Sequence, residues 1–247
     1  MQAARSKRSS KAHVQQELFR HGGKRKGAGR KPKAKRAGEG HDGRPVIKPY
    51  HALHVVMRVV DSVGSLRRRS MYKAVRDASV VAAVRERFRI VHLSIQGTHI
   101  HMLAEAKNRE ALARGMQGFE ISVARNINTL LGKDRYRRRR GKVFADRYHL
   151  EVITSPTQAR NTLSYVLNNW RKHREDQAGL PATWLVDPFS SGISFPDWKE
   201  MEGRDVMWPI REGYEPLIVR RPTSWLLREG WKRAGEVSAL EVPSRRR

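Results

Sequence analysis

The stretch from Phe88 to Glu105 constrains the fold most. Val91, Leu93 and Ile95 alternate with His92, Ser94 and Gln96; after Gly97-Thr98, Ile100, Met102 and Ala104 alternate with His99, His101, Leu103 and Glu105. A period of two belongs to a strand whose two faces meet different surroundings. Gly-Thr between two such stretches reads as a tight turn. The chain must therefore build a sheet with one apolar face and one face rich in histidine. Two imidazoles side by side on a rigid strand form half of a metal site. A half-buried strand with two hydrogen-bonded histidines satisfies the same pattern.

The remaining elements follow from their own periodicities. His54 to Val60 reads as a first strand, with Val55, Met57 and Val59 on one side and His54, Val56, Arg58 and Val60 on the other. Ser65 is the expected cap of a helix to about Arg87, with Leu66, Met71, Val75 and Val84 among its apolar positions. Asn108 caps a second helix through Leu131, stopped by Gly132, with Leu112, Met116, Phe119, Val123, Ile127 and Leu130 as its buried stripe. An Arg-rich loop (133–142) leads to a fourth strand, Val143 to Ile153. Ser155-Pro156-Thr157-Gln158 is a capping box that opens a helix to about Arg174.

The order β-α-β-β-α-β-α predicts an α+β fold with a ferredoxin-like, split βαβ antiparallel sheet. Two helices cover its apolar face. The other face carries His54, Arg58, His92, Ser94, His99, His101 and Glu105, too polar for a core. The last helix is expected to cover it. On that helix Leu163, Val166, Leu167 and Trp170 form an apolar stripe, while Tyr165 and Asn169 sit one turn apart on the other side. We expect Tyr165 and Asn169 to look at the histidines and the stripe to be covered by the aromatic C-terminal part.

The formal net charge of +27 calls for an anionic partner, nucleic acid first. Much of it lies in residues 1–48, a basic arm that lacks apolar periodicity and is expected to be disordered when free. Its Lys24, Arg25, Lys26, Arg30 and Lys31 are candidate DNA contacts. So are Arg58, Arg147 and the loop residues Arg135, Arg137, Arg138, Arg139 and Arg140. Gly29-Arg30-Lys31-Pro32 resembles a minor-groove AT-hook without the usual Arg-Gly-Arg-Pro core. Residues 49–178 are the expected catalytic domain. Residues 179–247, with many Trp, Phe and Pro, are an irregular wrapping extension with a short helix near 223–234. Chemistry aside, its aromatic rings also suit stacking on unpaired bases. There are no cysteines, which removes disulfides and thiolate metal sites. No apolar run approaches the roughly 18–20 residues that span a bilayer, and no signal peptide is evident, so the expected location is the cytoplasm, at the nucleoid.

His99, His101 and the Asn169 amide oxygen are the candidate metal ligands. Three protein ligands leave positions for phosphate oxygens, and the ion then serves as a Lewis acid. Tyr165 is the candidate nucleophile, attacking phosphorus to form a covalent link. A free Tyr has a pKa of about 10, so it needs a nearby cation or base; Glu105 and His149 are candidate helpers. Tyr72, Tyr136 and Tyr148 lack an amide four residues on within a capped helix. Asn168 competes with Asn169, though spacing favours Asn169.

Three segments carry a family likeness: His99-Ile100-His101-Met102-Leu103-Ala104-Glu105-Ala106, Phe144-Ala145-Asp146-Arg147-Tyr148-His149 and Tyr165-Val166-Leu167-Asn168-Asn169. Over about residues 48–175 the chain resembles the HUH-endonuclease superfamily, and within it the REP-associated tyrosine transposases. The resemblance implies one Mg²⁺ or Mn²⁺ ion and cleavage of single-stranded DNA, often beside a hairpin. It further implies a 5′-phosphotyrosine intermediate with a free 3′-OH, with Tyr165 as nucleophile and His99, His101 and Asn169 as ligands. Better-known transposases have Gln where this chain has Asn169. A homodimer that places Tyr165 over its partner's histidines is one expected arrangement. The competing reading is a non-catalytic DNA- or RNA-binding protein, a decayed or domesticated relative.

Overall fold

The computed structural model describes residues 43, 45–132, 139–177, 184–202 and 212–243. Strands β1 (Ala52–Arg58), β2 (Phe88–Ile95), β3 (His99–Ala106) and β4 (His149–Ile153) form one antiparallel sheet in the order β2-β3-β1-β4. This is the split βαβ arrangement that the element order predicts: β1 and β2 are the parallel ends of one unit, and β3 is inserted between them.

Helices α1 (Arg69–Ala83) and α2 (Arg109–Gly132) cover one face. Leu53, Val55, Met57, Ile100, Met102 and Ala104 meet Met71, Val75, Met116, Phe119, Val123 and Ile127 in a continuous apolar layer. The side chain of Asn108 accepts a hydrogen bond from the Ala111 amide at 2.9 Å and caps α2. Helix α1 starts later than expected. It follows a 3₁₀ turn at Asp61–Val63, Arg68 occupies its N-cap without a side-chain bond, and Ser65 Oγ accepts from the Arg67 amide at 3.3 Å, ahead of the helix. Its end also differs: Val84 terminates the helix and is 79% exposed, so it does not belong to the buried face.

The sequence misplaces one strand residue. The register of β2 against β3 shifts between Ile90 and His92. Ile90, Leu93 and Ile95 join the layer under α1 and α2, while Val91 lies on the opposite face beside Leu103 and Val166. A β-bulge adds one residue to a strand and reverses the alternation locally. Strict alternation therefore put Val91 on the wrong side. The fourth strand is also shorter than expected. Phe144 makes an isolated bridge to Val59, and the ladder resumes only at His149.

The other face is covered by α3 (Pro156–Lys172) and by the chain that follows it. Leu163, Val166 and Leu167 pack with Phe195, Trp198, Leu227, Trp231 and Val237. The expected helix near 223–234 is two pieces, α4 (Trp225–Arg228) and a 3₁₀ turn at Gly230–Ala234. Gly230 lies under Trp225, and a Cβ there would fall 2.7 Å from the indole, so any larger residue would push the ring aside. The N-terminus of α3 is well fixed. Ser155 Oγ accepts from the Gln158 amide at 3.2 Å, and Gln158 Oε1 accepts from the Thr154 amide at 2.9 Å. Ser155→Ala should lower stability by about 1 kcal/mol, read from a denaturant midpoint with unchanged slope.

Among the described residues, no helix is long and apolar enough to cross a membrane.

Candidate active site

The face beneath α3 gathers several aromatic and titratable rings. On β3, His99 and His101 point the same way, with ring centroids 4.7 Å apart at 85°. His54, on neighbouring β1, stacks on His101 at 5.4 Å and places Nε2 3.2 Å from His101 Nδ1. Tyr165 comes down from α3. Its ring is 5.1 Å from that of His101 and 6.1 Å from that of His54, edge-on to both.

The helix periodicity explains why α3 reaches this face. Tyr165, Asn169 and His173 are spaced by four residues and lie along one line of the helix. His173 brings its ring to 6.4 Å from that of His99. Lys172 holds its ammonium 4.8 Å from the centroid of the Tyr165 ring. Neither His173 nor Lys172 was singled out by motif. The four-residue spacing from Tyr165 through Asn169 is the signal that leads to His173.

Burial and mutual repulsion hold the imidazoles neutral. Desolvation lowers His99 to about 4, with His173 and Arg58 adding to the effect. His101 lies well below the usual histidine value, chiefly from burial and then from His99, His54, His173 and Lys172. Neutral imidazole is the form that binds metal. Nε2 of His101 and both amide atoms of Asn169 are buried without a hydrogen-bond partner. Orphaned buried acceptors are costly unless something satisfies them. An imidazole nitrogen and an amide oxygen are both donor types that a divalent cation accepts, and His99 neighbours His101 on the same face. Among the described residues, no three His, Cys, Asp or Glu side chains group closely enough to hold an ion by themselves. An ion here would therefore rely on the amide and on the substrate's phosphate. Asn168 is turned away: its amide donates to the Ser238 carbonyl at 2.8 Å.

Several expected residues sit elsewhere. Glu105 is not available as a helper. It is 3% exposed, and its carboxylate accepts from the amides of Thr223 and Ser224 and from the Thr223 hydroxyl, at 2.7–3.1 Å. It also lies four residues along β3 from His101, about 13 Å away. Its task is to anchor the start of α4. His149 is on the cluster's face but on the edge strand, exposed, and Val56 separates it from His101. Two strand spacings put the backbones of His149 and His101 about 10 Å apart. Arg58 is exposed at the end of β1, paired in register with His99. Arg139 is largely occupied within the fold, donating to Asn128 Oδ1 at 2.8 Å and to Ser62 Oγ at 2.7 Å. Arg140 is exposed and Arg147 half-buried. Lys24, Arg25, Lys26, Arg30, Lys31, Arg135, Arg137 and Arg138 lie outside the described residues. Tyr72 is tied into the fold through the Glu215 carbonyl at 2.8 Å, and burial pushes its phenol well up.

A buried ion-pair cluster fixes the end of α3 and the segment beyond it. Arg67 makes two bonds of 2.9 Å to Asp187, which is fully buried, and reaches Glu175 at 2.9 Å. Burial raises Glu175 to about 7 despite Arg67. Sequence reading missed this cluster because Arg67 lies more than a hundred residues from both carboxylates.

Residues 48–169 match the family model described as "Transposase IS200 like". No curated protein matches the chain. Among solved structures, a REP-associated tyrosine transposase bound to a REP hairpin is 12% identical, with a TM-score of 0.47, covering 74% of this chain and 100% of that one. A putative transposase from Deinococcus radiodurans R1 is 13% identical, with a TM-score of 0.33, covering 58% of this chain and 99% of that one.

Proposed function

We propose that this chain, which belongs over residues 48–169 to the IS200-like transposases, is a metal-dependent single-stranded DNA endonuclease and strand transferase with Tyr165 as its nucleophile. The observation that carries the reading is the convergence of Tyr165 on His101, whose Nε2 is buried and unpartnered. A Mg²⁺ or Mn²⁺ ion held by His99, His101 and Asn169 would supply Lewis-acid stabilisation of the charge that builds on the scissile phosphate.

The chain's own residues do the rest. Tyr165 attacks phosphorus through Oη and gives up its proton. The phosphorus–O3′ bond breaks, and the departing 3′-oxygen takes a proton to leave as a free hydroxyl. The DNA 5′ end stays on the tyrosine as a phosphodiester, and attack by another 3′-OH reverses the step and joins a new end. Lys172 stands with its charge beside the Tyr165 ring, 4.8 Å from the centroid, and brings positive potential to the place where the phosphate must sit. α3 holds the phenol over the histidines, so attacking atom and phosphate meet without a search in solution.

The DNA partner is a single strand at or beside a hairpin, as the three sequence segments imply. Arg58 and Arg140 are placed on the surface to meet its backbone, with the basic arm adding non-specific charge. Arg58→Ala should weaken binding and reduce the salt slope by about 0.7, the share of one phosphate on a single strand. Binding isotherms across a salt series measure this.

Incubation of the full chain with end-labelled hairpin oligonucleotides, with Mn²⁺ or with a chelator, tests the reading. Metal-dependent cleavage, lost in His101→Ala, is expected. Chelator-insensitive cleavage would remove the ion from the mechanism. Tight binding without cleavage across a broad panel of hairpins would leave a nucleic-acid-binding protein.

A further inference from the structure

Behind His101 runs a line of polar groups that ends at the cap of α3. His54 Nε2 is 3.2 Å from His101 Nδ1, so a proton lies between them. On the far side of the His54 ring, Nδ1 stands 3.8 Å from a Glu151 carboxylate oxygen, in ion-pair range. The other oxygen of Glu151 accepts from Gln158 Nε2 at 2.8 Å. Gln158 is the residue whose amide is held by Ser155 at the start of α3. The carboxylate is thus fixed in place, and it is fixed by the helix that carries Tyr165.

A carboxylate accepts hydrogen bonds and cannot donate them. Its negative charge beside Nδ1 of His54 favours a proton on that nitrogen. Nε2 of His54 then has a lone pair and accepts from Nδ1–H of His101. The proton of His101 is held on Nδ1, and the lone pair of Nε2, the orphaned buried atom, faces the site. Without this order either tautomer of His101 is open, and the one with Nε2–H turns a proton toward an incoming cation. Partners of this kind fix the tautomer and basicity of metal-binding histidines.

We propose that Glu151 and His54 are positioning residues, a carboxylate–histidine relay that sets the tautomer of His101 and turns its Nε2 lone pair into the site. The proposal goes beyond the nuclease reading and rests on it only for the identity of what His101 receives. Glu151→Gln is the informative change. It keeps the size and the acceptor for Gln158, yet its NH₂ faces Nδ1 of His54. That reverses the relay: His54 becomes Nε2–H, donates to Nδ1 of His101, and leaves the proton of His101 on Nε2.

Two readouts on the full chain decide it. The first is the imidazole ¹⁵N spectrum of histidine-labelled, metal-free protein, with the His101 signals assigned through His101→Asn. His101 should be the Nδ1–H tautomer in the wild type and shift toward Nε2–H in Glu151→Gln. The second is Mn²⁺ affinity, which should fall about 10- to 100-fold in Glu151→Gln and in His54→Ala, with the metal-free melting temperature of Glu151→Gln near that of the wild type. A wild-type His101 carrying its proton on Nε2, or a Glu151→Gln protein with unchanged tautomers, overturns the relay. The spectrum needs no metal, so a protein that shows the relay but binds no Mn²⁺ would sink the nuclease reading and leave the relay standing.

Discussion

Tyr165→Phe should bind hairpin DNA as the wild type does and lose strand cleavage by a factor on the order of 10⁴–10⁶, the scale set by removing a covalent nucleophile. The packing argues that this variant folds. The Tyr165 ring meets His101 and His54 edge-on, and Lys172 stands over its face. A phenyl ring keeps each of these contacts. Only the oxygen goes, and with it the covalent step. Binding by the basic surface does not pass through that oxygen, so a filter-binding curve should superimpose on the wild type. A variant that cleaves at a wild-type rate would mean that water or another tyrosine attacks.

Glu105→Ala should cost about 3 kcal/mol or more, and Glu105→Gln should cost nearly as much. Both carboxylate oxygens are occupied. One accepts from the Thr223 and Ser224 amides, the other from the Thr223 amide and hydroxyl, and Arg89 lies 3.5 Å from it. Alanine leaves those donors buried and unpaired. Glutamine turns an NH₂ toward donors and cannot satisfy both sides. The loss is local as well as global. The start of α4 comes free of the sheet, and Leu227 and Trp231, both buried beside α3, lose their anchor. A denaturant midpoint measures the first effect. Faster hydrogen exchange confined to residues 223–234 and the α3 residues they cover measures the second.

The sheet and the helix that covers its histidine face were legible because their signals are local. Alternation named the faces of β1 and β3, and side-chain caps marked the starts of α2 and α3. Four-residue spacing put Tyr165 and Asn169 on one line of a helix. What escaped was non-local or non-periodic. The bulge that moves Val91 across the sheet has no marker in the residues themselves. Val84 continues a helical pattern, yet the chain has already left the helix. Glu105 looked like chemistry because it shares a face with His99 and His101. Its partners are 118 and 119 residues away, and no spacing announces such a contact. His54 was placed on the correct face, but its link to His101 depends on a diagonal across two strands. His173 and Lys172 stand at the end of the same helix, about a turn past Asn169, where no motif marks them.

The most direct test is to find where the DNA is attached. Wild-type protein is incubated with a hairpin oligonucleotide and Mn²⁺, denatured, digested with trypsin and nuclease, and the nucleotide-bearing peptide is sequenced by mass spectrometry. The account predicts a 5′-phosphate ester on Tyr165, in the peptide Asn161–Arg171, which contains a single tyrosine. An adduct on Tyr148 or any other residue, or strand cleavage with no adduct at all, would contradict it.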